Sequence, residues 1–160
     1  TWRSQNIQGI MRLLIQKVNE VTVLVSNKVV GKINKGLLIF QGVDEADTHD
    51  DISWLVRKVV NLRIFNDSNN IMNLSVKDVE GDILVVSQFT LMASVKKGNR
   101  PSYIRAANKN HAISMYKKFI DHLNTSHIKS IQSGIFRADM QVKLINDGPT
   151  TIWIDSKKRE

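Results

Sequence analysis

Cysteine is absent from this 160-residue chain, which excludes disulfides, thiolate nucleophiles and cysteine-held metals. Aromatic residues make up only 6%, too few for the interleaved stacking platform of a single-strand RNA reader. No apolar run approaches about 18 residues, so no membrane-spanning helix is expected. The four histidines, His49, His111, His122 and His127, show neither HExxH spacing nor clustering, so no metal site is expected. Phosphate-binding, dinucleotide-binding and GxSxG signatures are also missing, which removes the usual nucleotide folds and the serine-hydrolase elbow.

What is present describes one globular domain. Hydrophobic residues reach 42% and charged residues 24%, with a formal net charge of +8. The positive balance suits a polyanionic partner, although simple solubility explains it equally well. No signal peptide is visible, and an intracellular, cytoplasmic location is expected. Residues 1–10 have no clear period and precede a plausible initiator at Met11. They read as an expression remnant or an extension outside the fold, with the domain occupying 11–160.

From Met11 the pattern is that of strands. Leu13, Ile15, Val18, Val21, Val23 and Val25 are rich in β-branched residues, and Val29–Ile33 follows a turn at Asn27-Lys28. Leu37–Val43 is nearly all apolar and predicts a strand buried on both faces. Thr48 caps a helix whose Ile52, Leu55, Val56 and Val59 recur at helical spacing. Ile71–Val76 and Ile83–Val86 predict further strands. A second helix spans about Asn108–Leu123, its stripe of Ala112, Met115, Tyr116, Phe119, Ile120 and Leu123 reading as core. Met140, Val142 and Leu144 alternate, Asn146-Asp147-Gly148-Pro149 reads as a turn, and Ile152 and Ile154 alternate again. Many strands with two main helices make a single α+β domain.

Two segments hold the chemistry. Ser87-Gln88-Phe89-Thr90 ends a buried strand, where polar groups can meet a ligand. Asn146-Asp147-Gly148-Pro149 lies between two alternating strands, and taken alone it reads first as an ordinary hairpin turn. Together the pair resembles the signature of the D-aminoacyl-tRNA deacylases. Leu14-Ile15-Gln16-Lys17-Val18, Arg63-Ile64-Phe65, Met72-Asn73-Leu74, Gly98-Asn99-Arg100-Pro101-Ser102-Tyr103, Gly134-Ile135-Phe136 and Ala138-Asp139-Met140-Gln141-Val142 match in order and spacing. The resemblance extends from Met11 to about Asp155. Arg137 departs from it, since family members usually carry Gly or Ala there.

The resemblance implies a barrel-like sheet and an esterase that releases D-amino acids, and glycine, from the 3′ end of tRNA as a proofreading step. It implies a homodimer in which Gly148-Pro149, joined by a cis bond, completes the partner's active site as a chiral filter. Backbone around Phe89 and Thr90 would stabilise the oxyanion. With no base visible to activate Thr90, a water assisted by the substrate's 2′-hydroxyl is the expected nucleophile. Ser87 and Gln88 would position the terminal adenosine, and Lys96, Lys97 and Arg100 would meet phosphates or serve as a solvated loop. No cofactor or metal is required. The alternatives are a related deacylase acting on mischarged L-alanyl-tRNA and a non-catalytic RNA-binding module.

Overall fold

A computed structural model describes residues 10–159. The leader assigned to residues 1–10 therefore lies outside the described residues, except for Ile10, which is buried. The chain runs β1 (Arg12–Val25), β2 (Lys28–Ile33), β3 (Gly36–Gly42), α1 (His49–Asn61), β4 (Phe65–Asn66), β5 (Met72–Leu74), β6 (Asp82–Ser87), a 3-10 turn (Phe89–Met92), α2 (Lys109–Asn124), β7 (Ile131–Ser133) and β8 (Met140–Asp155). The α+β class read from the sequence holds.

Long β1 organises the sheet. Its first half, Arg12–Val18, pairs antiparallel with β3, and its second half, Val21–Val25, pairs with β2. The other edge of β1 carries β8 along nearly its whole length. β3, β6 and β7 are mutually parallel. The sheet curls back on itself: the Lys32 N–H donates to the Gln132 side chain at 2.9 Å, bringing β2 against β7. This nearly closes a barrel.

Strand alternation divides the interior in two. Leu37, Ile39, Ile83 and Val85 face the two helices and join Ile52, Leu55, Val59, Met115 and Phe119 in the larger core. Leu38, Leu84 and Val86 point the other way and meet Val21, Val23 and Ile33 inside the curl. β3 is thus covered on both faces, as its unbroken apolar run requires.

The first helix starts at its expected cap, and the second proves to be capped as well. The Thr48 N–H donates to the Asp51 carboxylate at 2.8 Å, and Asn108 Oδ1 accepts from the His111 N–H at 2.9 Å. Among the described residues, no helix is long and apolar enough to cross a membrane.

Two expectations need correction. Asn146–Pro149 is not a turn between strands but an outward bulge within continuous β8. Gln16 pairs with Thr151 and Val18 with Asn146, so four residues on β8 lie opposite Lys17 alone. The Gly148–Pro149 bond is also not cis, since no cis peptide occurs among the described residues. A cis X–Pro bond is locally unfavourable by about 0.5–1 kcal/mol and needs surrounding structure to hold it. Both residues are exposed. The bulge takes its shape instead from Gly148 at φ +111°, a conformation L side chains rarely adopt.

Candidate active site

Because β3 and β6 are parallel, their C-terminal ends open onto the same edge of the sheet. Polar groups leaving such strands face outward together, and ligands characteristically bind there. The Gln88 N–H donates to the Gln41 carbonyl at 2.7 Å, and the chain then breaks from the sheet into the 3-10 turn. Gly42 permits this break: a Cβ there would come within 2.9 Å of the Leu91 Cβ.

A cavity of about 500 Å³ opens at this edge. Its floor comes from Gln41 and Val43 at the end of β3 and from Val86–Phe89 at the end of β6. Ala112 and Tyr116 of α2 form one wall, and residues 136–140 with Val142 form the opposite rim. Apolar walls with a few convergent polar groups are typical of small-ligand pockets.

Three residues expected from the sequence meet here: Ser87, Gln88 and Phe89. Thr90 occupies the same 3-10 turn but does not line the cavity. Its hydroxyl oxygen accepts from the Gln88 side-chain amide. An amide is not a base, and no carboxylate or imidazole hydrogen-bonds this hydroxyl among the described residues. Phe89 is half-exposed and held edge-to-face against Tyr103, with ring centroids 5.0 Å apart.

The other expected residues lie elsewhere. Lys96, Lys97 and Arg100 are exposed on a loop closed by the Ser94–Ser102 bridge, two residues beyond the 3-10 turn. Gly148 and Pro149 are on the β8 bulge and do not line the cavity. Beneath the bulge, buried Lys17 places its ammonium 4.0 Å from the Asp147 carboxylate.

Sequence reading missed several contributors. Ala112 and Tyr116 were assigned wholly to the core, yet they also line the cavity. The Tyr116 hydroxyl donates to the Val85 carbonyl at 2.9 Å, and burial pushes its pKa up to about 12, so it stays neutral. Gln41 is buried, with its amide N–H directed at Met11 sulfur and its oxygen unpaired. A lone glutamine in an otherwise apolar run was the available signal. Arg12 had no such signal: its guanidinium donates to the Leu91 carbonyl at 2.8 Å and to Asp155 at 3.2 Å. It thereby ties the 3-10 turn to both long strands. None of the four histidines lines the cavity.

Comparison with known proteins covers almost the whole chain. The profile of the family described as D-Tyr-tRNA(Tyr) deacylase matches residues 14–155. A D-aminoacyl-tRNA deacylase of Flavobacterium psychrophilum is 55% identical over 150 residues, covering 94% of this chain and 100% of that protein. A D-aminoacyl-tRNA deacylase of Flavobacterium johnsoniae matches with the same identity and coverage. Among solved structures, the c-Myc DNA Unwinding Element Binding Protein superposes with a TM-score of 0.85 at 35% identity, covering 89% of this chain and 97% of that one. A probable eukaryotic D-amino acid tRNA deacylase, 19% identical, shares the fold with a TM-score of 0.78 over 91% of this chain and 99% of its own.

Proposed function

The chain belongs to the D-Tyr-tRNA(Tyr) deacylase family, and from that premise we propose how it performs the family's reaction. It is a hydrolase that cleaves the ester of D-aminoacyl-tRNA, releasing free D-amino acid and tRNA as a proofreading step in translation. The observation that carries the site assignment is the meeting of Ser87, Gln88 and Phe89 at the one edge where two parallel strands end in a cavity.

The terminal adenosine enters this cavity, with Ser87 and Gln88 positioning it. The ester lies over the start of the 3-10 turn. Phe89 and Thr90 open that turn, so their N–H groups have no carbonyl one turn earlier to bond and are available to a developing oxyanion. The engagement of Thr90 by Gln88 favours water as the nucleophile, assisted by the substrate's own 2′-hydroxyl. Proximity and preorganised dipoles then supply the rate.

We assign the chiral filter to Gly148-Pro149 of a second subunit in a C2 homodimer. Two features support action in trans: the pair is exposed outside its own subunit's cavity, and it sits on a long outer strand carrying half-exposed Ile145 and Trp153. Backbone placed there grips no particular side chain, so it accepts many D-amino acids while excluding the L configuration by contact. Glycine, with no side chain, passes the same filter, so glycyl-tRNA is a further substrate. Lys96, Lys97 and Arg100 extend the site toward tRNA phosphates. A tRNA-acting enzyme of this kind works in the cytoplasm.

Multiple-turnover release of D-tyrosine from D-tyrosyl-tRNA, run beside the L-tyrosyl and glycyl substrates, tests the reading. D-tyrosine and glycine are released and L-tyrosine is not. Binding without turnover, or preferential L-hydrolysis, would overturn it. Sedimentation at micromolar concentration should give twice the chain mass, and a fully active monomer would exclude action in trans.

A further inference from the structure

Arg137 is the single cation among the residues lining the cavity. It stands between β7 and β8, in a turn closed by the Ala138 N–H donating to the Ile135 carbonyl at 3.1 Å. At the third position of that turn its φ is +61°, a conformation that favours glycine or asparagine. Five other non-glycine residues have positive φ, Ser26, Asn27, Asn70, Glu80 and His127, and none of them lines the cavity. Local backbone preference therefore does not account for an arginine at this position.

Nor does pairing within the fold. The guanidinium lies over the Phe136 ring, 5.8 Å from its centroid, which holds the side chain against the rim. Among the described residues it forms no ion pair, and even Asp139, the cavity's single acid, is not bridged to it. The result is a planar cation, oriented by an aromatic face, exposed at the rim of the substrate cavity.

The chemistry of the substrate identifies its anion. In an aminoacyl ester the carboxyl group is esterified and the α-amino group is neutral or positive, so the reacting end offers no negative charge. The nearest anion is the phosphodiester on the 5′ side of the terminal nucleotide. We infer that Arg137 binds that phosphodiester and anchors the acceptor end while its terminal nucleoside occupies the cavity. A guanidinium suits the task, since two N–H groups can meet two phosphate oxygens in one plane. The inference rests on the deacylase reading and adds a substrate-binding residue to it.

Steady-state hydrolysis of D-tyrosyl-tRNA by the full chain, Arg137→Gly and Arg137→Lys, across a salt series, tests the assignment. Arg137→Gly raises KM about tenfold at low salt and leaves kcat within about twofold, because the lost contact is a charge-assisted hydrogen bond remote from the ester. The slope of log KM against log salt falls by about 0.7, the signature of one single-strand phosphate contact. Tm rises, since glycine suits the backbone, so a folding defect cannot mimic the loss. Arg137→Lys restores the slope but only part of the affinity. A parent that turns over D-tyrosyl-tRNA while Arg137→Gly keeps its KM and salt slope overturns this assignment alone. A KM defect confined to D-aspartyl-tRNA also overturns it, by placing the guanidinium on the amino-acid side chain. No turnover by the parent overturns the deacylase reading and this inference with it.

Discussion

The side-chain amide of Asn146 donates to the main-chain carbonyl of Lys17 at 3.0 Å, across 129 positions of sequence. It also donates to the Thr150 carbonyl at 2.9 Å, so one side chain closes both sides of the bulge that displays Gly148 and Pro149. Within the bulge, a Cβ on Gly148 would lie 2.8 Å from Thr150 Oγ1 and 3.4 Å from the Lys17 ammonium. The shape of the motif therefore depends on two partners that contribute no chemistry of their own.

Asn146→Ala removes both bonds and leaves two partly buried carbonyls to find water. Stability should fall by about 1–2 kcal/mol, and D-aminoacyl-tRNA hydrolysis should fall more than tRNA binding, which phosphates dominate. Asn146→Asp should be worse than alanine above its pKa, because a carboxylate would face two carbonyl oxygens. Thermal melts beside hydrolysis and filter-binding assays separate these effects. Equal activity in all three proteins would show that the bulge needs no staple.

Arg12 plays the corresponding part for the cavity. It bonds Leu91 in the 3-10 turn and Asp155 at the end of β8, and lies over the Trp153 ring at 5.4 Å. Arg12→Ala should lower kcat/KM several-fold while leaving the core intact, with a stability loss of about 1–3 kcal/mol. Arg12→Lys keeps the charge but not the fork that reaches two acceptors, and should recover little. Full activity in Arg12→Ala would mean that the turn holds its position without this tie.

The parts legible in the sequence are those set by local rules. Leu37–Val43 reads as a doubly covered strand because every residue but Gln41 and Gly42 is large and apolar. Thr48 marks a helix start because it is a good cap and the acid Asp51 lies three residues on. Ser87–Thr90 stands out because polar residues follow a buried run. The β8 bulge was misread as a turn because Gly-Pro is a strong local breaker, whereas its pairing with β1 is decided by Lys17 and Val18 far away. Arg12 was invisible for a similar reason: its partners lie 79 and 143 positions away.

Asp47 should make stability depend on pH in the direction opposite to most carboxylates. It is buried, accepts from the Met11 N–H at 2.9 Å and the Asp44 N–H at 2.7 Å, and lies near Asp51 and Asp44. Burial pushes its pKa from an ordinary 3.8 up to about 7; the two N–H donors oppose this, and the neighbouring acids add to it. Between about pH 4 and 7 the folded state retains a proton that the unfolded chain has released. Stability from this group therefore falls as pH rises through that window and is level outside it, by at most about 4 kcal/mol. Denaturant melts from pH 4 to 8 should show a downward slope that Asp47→Asn flattens. An unchanged slope in the variant would assign the dependence to other groups.

Thr90 tests the route of bond cleavage. Its hydroxyl sits in the 3-10 turn beside the cavity residue Phe89 and accepts from the Gln88 amide, which cannot take a proton. Thr90→Ala leaves the Thr90 backbone N–H in place at the start of the 3-10 turn, so it should retain deacylation within about tenfold of the parent. Proline at the same position removes that N–H and should depress kcat by about 10²-fold or more, provided the turn survives. Substrates lacking the terminal 2′-hydroxyl should react poorly with parent and Thr90→Ala alike, because the assisting group then belongs to the RNA. Near-ultraviolet circular dichroism would show whether the proline variant keeps its tertiary packing. A trapped acyl-threonine, or loss of chemistry in a well-folded Thr90→Ala that still binds tRNA, would make the side chain the nucleophile and overturn the water route.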